Sequence, residues 1–148
     1  MSSSEISIHL VTAINAGLLD HVDADVFDNK IEPTLLRAFL ANPANILMVA
    51  AMDQQVIGMA SGIAYVHPDK PLQLFINEVG VSPRFQRRGV GKKLVAALLQ
   101  HGRELGCREA WVATEEGNTA ARGLYSALGG KEDDELAVLY LYPLAAQR

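Results

Sequence analysis

The sequence predicts a mixed α/β (α+β) domain with a mostly antiparallel central sheet flanked by helices. Three observations carry this. Apolar residues recur with a period of two in some segments and of about 3.6 in others. A hairpin pattern in the first half is followed by strand-helix-strand units in the second. A chain of 148 residues, 49% hydrophobic and 20% charged, fits one domain spanning 1–148 better than two.

The elements follow in order. From Ile6 to Val11 apolar Ile6, Ile8 and Leu10 alternate with Ser7 and His9, the signature of a half-buried strand. Thr12 is placed to cap a short helix over Ala13 to Leu19, and the acidic stretch Asp20 to Asp28 reads as a loop. Glu32-Pro33 opens a second helix with Leu35, Leu36, Phe39 and Leu40 at helical spacing, and Asn42-Pro43 ends it. Ile46 to Met52, the turn Asp53-Gln54-Gln55 and Val56 to Val66 form an antiparallel hairpin closed by Pro68 and Pro71. Leu72 to Val81 is a further strand, ended by Ser82-Pro83. Gly91 to Gly106 carries Leu94, Val95, Leu98, Leu99 and Leu105 on one helical stripe. Glu109 to Thr114 reads as a strand, Asn118 to Leu128 as a helix ended by Gly129-Gly130, and Glu135 to Tyr142 as a last strand rich in Leu, Val and Tyr.

Composition excludes several classes. A net charge of −4 and a pI near 5.5 argue against a nucleic-acid or membrane partner. The single cysteine, Cys107, makes no internal disulfide and supplies no thiolate zinc site. It lies at a helix-to-strand turn without a nearby His-Asp pattern, which reads as packing rather than as a nucleophile. His9, His21, His67 and His101 lack metal-ligand spacing, so no metal is assigned. Met-Ser-Ser-Ser-Glu at the start has no basic region ahead of an apolar stretch, and no run is long enough for a membrane helix; a cytoplasmic protein is expected.

Charge placement says more than net charge. Arg84, Arg87, Arg88, Lys92 and Lys93 crowd one window around Gly89 and Gly91, between a strand and a helix start. A helix N-terminus exposes about four unpaired N–H groups and roughly half a positive charge, and glycines admit a phosphate close to them. Two other phosphate loops fail on spacing. A P-loop would need glycine at Gln86 and Ser or Thr at Lys93; a dinucleotide fingerprint would need glycine at Leu94.

The stretch Val81 to Lys92, with the core Gln86-Arg87-Arg88-Gly89-Val90-Gly91, resembles the acetyl-CoA pyrophosphate loop Gln/Arg-x-x-Gly-x-Gly/Ala of the GCN5-related N-acetyltransferase (GNAT) superfamily. Downstream, Asn118-Thr119-Ala120-Ala121-Arg122-Gly123-Leu124-Tyr125-Ser126-Ala127-Leu128-Gly129-Gly130 resembles that family's Asn-x-x-Ala-x-x-x-Tyr-x-x-x-Gly segment. Gly130 departs from the phenylalanine often found there. The resemblance implies a GNAT fold whose sheet splays at a bulge in the strand Leu74 to Val81, with Asn77 and Gly80 compatible with the bulge. It further implies acetyl-CoA as cosubstrate, its pyrophosphate on the amides of Gln86, Arg87, Arg88, Gly89, Val90, Gly91 and Lys92, and its pantetheine along Val79 and Val81. Asn118 falls where a side chain often bonds the cofactor, and Tyr125 where a hydroxyl lies near the thioester sulfur.

Amide formation needs a neutral amine, so a base is required. Glu78 is the sole charge between Leu72 and Val81, in a strand where desolvation would raise its pKa toward a useful range. Tyr125 has a hydroxyl to protonate the departing thiolate. Direct transfer is therefore expected. Acids on either side of the basic window, Asp28 early and Glu115, Glu116, Asp133 and Asp134 late, would attract a cationic small-molecule amine.

Leu74 to Val81, Glu115-Glu116-Gly117 and Leu124-Tyr125 resemble the small aminoglycoside 3-N-acetyltransferase branch. That resemblance implies acetylation of the 3-amino group of an aminoglycoside, which removes a charge that RNA binding requires and confers resistance. A polyamine, other small amine or protein amine is the alternative acceptor, and a non-catalytic acyl-CoA sensor the alternative class. Tyr140, Leu141, Tyr142 and Leu144 could extend a sheet across a homodimer.

Overall fold

The computed structural model describes residues 5–146; the start Met1 to Ser4, read above as free of a leader, lies outside them. A five-stranded sheet in the order β1-β2-β3-β4-β5 forms the middle layer. Its strands are β1 (Ser7–Leu10), β2 (Asn45–Met52), β3 (Gln55–Tyr65), β4 (Gln73–Val81) and β5 (Glu109–Trp111). The first four pair antiparallel and β5 joins β4 in parallel, so the sheet is mixed and mostly antiparallel as expected. Asp53 and Gln54 link β2 to β3 with φ of 50° and 63°, the two left-handed residues of a tight hairpin turn whose twist suits the flanking strands.

Helices cover both faces. On one side α2 (Val90–Leu105) buries Val90, Leu94, Val95 and Leu98 against Ile46, Ile57, Leu74 and Ile76. Its apolar residues recur every three to four positions, so they form a single stripe. On the other side α1 (Pro33–Ala41) lays Leu36, Phe39 and Leu40 over Leu47, Val49, Val56 and Met59. Proline at the first position of α1 suits a helix start, where its missing N–H has no intrahelical partner anyway. A third helix, α3 (Thr119–Ala127), packs Leu124 and Tyr125 against the α2 side.

Two expectations are corrected. The helix placed over Ala13 to Leu19 is a short 3₁₀ turn, Ala16–Asp20. Asn15, not Thr12, organises it: its Oδ1 accepts from the Thr12 amide at 2.7 Å and its Nδ2 donates to the Leu10 carbonyl at 2.9 Å. Local side-chain bonds of this kind compete with helix propagation. The last strand, Glu135 to Tyr142, does not form, and that stretch is irregular and exposed after α3. Alternation confers strand propensity, but a strand exists only where a neighbour accepts its ladder, and none does so among the described residues.

Candidate active site

The β3–β4 ladder slips once. Ser61 faces Glu78 while Gly62 faces Ile76, which leaves Asn77 as the extra residue of a bulge. Leu74 and Ile76 before it, and Val79 and Val81 after it, all pack toward the α2 core. In an unbroken strand Glu78 would share the face of Leu74 and Ile76, because side chains alternate with a period of two. The extra residue instead puts both Asn77 and Glu78 on the lining of a cavity of about 360 Å³ on the α1 side. Phe27, Leu35, Leu36, Phe39 and Met59 give it apolar walls, and Asp28, Glu32 and Glu78 bring carboxylates to it. Glu78 is exposed, so the desolvation expected of a strand carboxylate is absent. The bulge resolves the cost of a buried charge by turning it outward.

Gly80 has a different duty from the bulge expected of it. A Cβ there would meet the Val26 carbonyl oxygen at 2.2 Å, so the missing side chain lets the loop before α1 cross β4 and close the cavity. The same loop is tied to β3, where the Val56 amide donates to the His21 carbonyl and the Asp23 amide to the Val56 carbonyl, both at 2.8 Å.

Past Phe75 and Trp111, whose rings stack at 4.4 Å, β4 and β5 no longer pair. The far half of β4, Val79 and Val81 included, therefore has no ladder on that side among the described residues. The strand then passes through a 3₁₀ turn, Pro83–Phe85, into the glycine loop. Arg87 (φ 64°) and Gly89 (φ 77°) are left-handed, which turns successive amides into a concavity of the anion-binding kind. Gly89 is the N-cap of α2 and no side chain caps the helix, so the amides of Val90, Gly91 and Lys92 have no capping acceptor. A Cβ at Gly89 would meet nothing within 4 Å, so the space above the cap is open. Gly91 is buried and faces inward, where a Cβ would reach Leu124 Cδ1 at 2.8 Å; its role is to let α2 approach α3. Gln86 closes the turn, its amide reaching the Pro83 carbonyl at 3.5 Å and its Nε2 the Val81 carbonyl at 3.2 Å.

The basic residues divide their work. Arg84 Nε and Nη2 donate to Asp23 at 2.9 and 3.0 Å, and Ser82 Oγ donates to the same carboxylate. The Arg84 guanidinium, and then the Ser82 hydroxyl, hold the Asp23 carboxyl below its ordinary value. Arg84 and Arg88 both lie over the ring of Phe85, at 4.9 and 5.3 Å, which stiffens the turn beneath the cradle. Arg87, Arg88 and Lys92 are exposed around the uncapped amides.

On α3, Asn118 Oδ1 accepts from the Ala121 amide at 3.0 Å, which leaves the Nδ2 donors for a ligand. Tyr125 is half-buried against the core, and burial pushes its phenol up from the ordinary range. Gly129 (φ 91°) and Gly130 end the helix, the Gly130 amide donating to the Tyr125 carbonyl at 3.0 Å. A Cβ at Gly130 would meet that carbonyl oxygen at 2.9 Å, which accounts for glycine where the resembled family often has phenylalanine. Burial likewise raises the Cys107 thiol, consistent with a packing role.

Of the acids singled out in sequence, Asp28 and Glu78 share the cavity. Glu115, Glu116, Asp133 and Asp134 do not line it; they are exposed on the segments flanking α3. Glu32, Asn77 and Ser61 line the cavity without having been foreseen as site residues. Glu32 carried a signal, since it stands with Asp28 among the early acids that permit a cationic partner and also opens a helix with Pro33.

A bulged strand presents a carboxylate to a cavity and then runs into an uncapped, glycine-led helix. Residues 18–129 match the model of the Acetyltransferase (GNAT) family, and the chain belongs to that family. The aminoglycoside N(6')-acetyltransferase type 1 of Salmonella typhimurium is 32% identical over 92 residues, 54% of this chain and 63% of the relative, so the match spans less than two thirds of that protein. The N-alpha-acetyltransferase RimI of Mycobacterium tuberculosis is 27% identical over 126 residues, 84% of this chain and 77% of the relative. Among solved structures, AAC(6')-Iy in complex with a CoA-S-monomethyl-acetylneamine bisubstrate analogue superposes with a TM-score of 0.75 at 25% identity, covering 95% of this chain and 99% of that one. A soil-metagenome aminoglycoside acetyltransferase in complex with trehalose gives 0.77 at 18% identity, covering 93% and 96%, a likeness of fold. The Salmonella relative and AAC(6')-Iy are named for the 6' amine, so the expected 3-N branch is not supported. No helix among the described residues is long and apolar enough to cross a membrane.

Proposed function

We propose that the protein is an acetyl-CoA-dependent N-acetyltransferase that moves an acetyl group directly to a primary amine, most consistently an amine of an aminoglycoside. The observation that carries this is the placement of Glu78 in the cavity by the Asn77 bulge, on the strand whose end opens into the uncapped cradle. The residues present fit the carrier. The amides of Val90, Gly91 and Lys92, with those of Arg87 to Gly89 and the flanking Arg87, Arg88 and Lys92, would hold its diphosphate. The open edge of Val79 and Val81 would take the pantetheine amides, and Asn118 Nδ2 would offer the cofactor a further donor. Bound acetyl-CoA supplies an activated acyl carbonyl.

The rest is done by this chain. Glu78 accepts a proton from the ammonium of the acceptor, directly or through one water, so that nitrogen has a free pair. The C–N bond forms as the C–S bond breaks, Tyr125 gives its hydroxyl proton to the departing sulfur, and the second proton of the acylated nitrogen leaves to solvent, from which the Tyr125 phenolate is reprotonated. Asp28 and Glu32 hold the remaining positive charges of the acceptor at the cavity rim. The relatives' names and the bisubstrate complex support an aminoglycoside and the 6' amine, with the 3-amine the alternative position. A cytoplasmic location follows from this substrate and cosubstrate.

The apolar walls of Leu35, Leu36, Phe39 and Met59 favour a second reading, an amine on an apolar scaffold such as a peptide N-terminus. Release of free CoA would be followed with aminoglycosides, polyamines and peptides in parallel, and the acetylated position assigned by NMR. Turnover confined to aminoglycosides is expected; turnover confined to peptides selects the second reading. Tight CoA binding with no turnover on any amine defeats both and leaves a sensor.

A further inference from the structure

We propose that Ser61 selects the acceptor: its hydroxyl oxygen takes one N–H of the amine while Glu78 takes another, so that a primary nitrogen is preferred to an N-alkylated one. This rests on the reading of the cavity as the acceptor site. From Val56 to Ala64 the strand β3 reads Val-Ile-Gly-Met-Ala-Ser-Gly-Ile-Ala, and Ser61 is the one polar side chain in that run. Its neighbours on the cavity floor are apolar apart from Glu78. Ser61 pairs with Leu47 on one side and with Glu78 on the other, and Leu47 and Met59 line the same cavity. Ser61 is only 9% exposed. A hydroxyl in such surroundings is costly unless it is hydrogen-bonded.

The chain supplies no partner. Among the described residues nothing bonds the Ser61 hydroxyl, and no wholly enclosed polar side-chain atom is left unpaired, so this hydroxyl opens into the cavity that it lines. Ser82 shows the contrast, being buried too but with its hydroxyl donating to Asp23. The reach suits one nitrogen. Directly opposed residues of an antiparallel pair hold their Cβ atoms about 4.5–5.5 Å apart. A nitrogen bonded at about 2.9 Å to each of two oxygens spans up to roughly 5.8 Å. Once Glu78 has taken the first proton of the ammonium, a primary amine keeps two N–H bonds. Ser61 Oγ accepts one and the second carboxyl oxygen of Glu78 the other, which leaves the lone pair for the acyl carbon. A secondary amine keeps a single N–H. Its alkyl group would face the hydroxyl and leave it unpaired, at the full desolvation cost of that group.

Two matched pairs test this: neamine with its 6'-N-methyl form, and an alanyl peptide with its N-methylalanyl form. Release of free CoA gives kcat/KM for each. The wild-type protein is expected to prefer the primary member by roughly ten- to a hundredfold. Ser61→Ala is expected to lose that preference by slowing on the primary amine alone, with the CoA dissociation constant and melting temperature unchanged. Ser61→Thr keeps the hydroxyl and is expected to keep the preference. A serine with only a structural role would move both members of a pair alike. Glu78→Gln should also slow both alike, which separates failure of the base from failure of this inference. A folded Ser61→Ala protein that retains the preference, or a wild type without one, overturns the inference and leaves Glu78 as the base. No turnover on either primary amine removes the acceptor site and the inference together.

Discussion

Asp23 and Arg84 stand 61 residues apart in sequence and meet as a two-point ion pair, which fastens the loop that walls the cavity to the turn before the uncapped start of α2. Ser82 completes the clamp from the end of β4. The cavity and the glycine loop are therefore braced by one carboxylate.

Removing that brace separates binding from chemistry. Asp23→Asn is expected to raise KM for acetyl-CoA roughly two- to fivefold with kcat little changed, the modest scale reflecting the exposure of Arg84. The sign of the pH effect follows from the lowered Asp23 carboxyl. A depressed folded-state value contributes stability that is present above the ordinary 3.8 and lost as pH falls through the lowered value. Urea midpoints of wild type and variant should accordingly differ at pH 7 and converge in strong acid. A gap that widens in acid would contradict the clamp.

Glu78→Gln is expected to lower kcat by about 10²- to 10⁴-fold, the usual range for a general base, with KM for acetyl-CoA unchanged. Deleting Asn77 tests the bulge itself. With Asn77 removed Glu78 follows Ile76 directly and stays opposite Ser61, so alternation leaves it on the cavity face, and turnover should persist at a lowered rate in a folded protein. Steady-state kinetics and thermal denaturation read both; a folded deletion variant without turnover would show that the extra residue does more than leave Glu78 on the cavity face.

Tyr125→Phe should cost less, about tenfold in kcat, because solvent can protonate a thiolate that is already a good leaving group. Burial raises the phenol above its ordinary 10.0, so Tyr125 keeps its proton throughout the neutral and mildly alkaline range. The ratio of wild-type to variant kcat is thus expected to stay level from neutrality to that value and to fall above it. A ratio that declines below pH 9 would show that Tyr125 is not the proton donor.

Local patterns made much of this legible. The glycine loop declares itself because its signals, Gly89, the basic flank and a helix stripe beginning at Leu94, lie within a few residues of one another. The hairpin, β4, α2 and α3 are equally local in their signals. The Asp23 clamp was not legible, because nothing in an acidic loop names its partner 61 residues on. Asn77 was compatible with a bulge, yet only the register against Ser61 and Gly62 shows that it is the extra residue. Gly80 looked like part of the same bulge and instead makes room for Val26. Glu135 to Tyr142 was read as a strand from its alternation, which measures propensity and says nothing of who supplies the neighbouring edge.

The crossing of Val26 over Gly80 gives the last prediction. Gly80→Ala places a methyl where the Val26 carbonyl oxygen sits 2.2 Å away, and a backbone atom cannot rotate aside as a side-chain tip can. The loop must lift, which shifts Phe27, Asp28 and the cavity wall but leaves Gly89 and the α2 amides in place. Overpacking of this kind costs about 1–3 kcal/mol. A lower melting temperature is expected, with KM for the amine raised severalfold and the CoA dissociation constant, read by calorimetry, unchanged. Equal weakening of both ligands would mean that cavity and cradle move as one unit, and that the clamp between Asp23 and Arg84 transmits the strain rather than containing it.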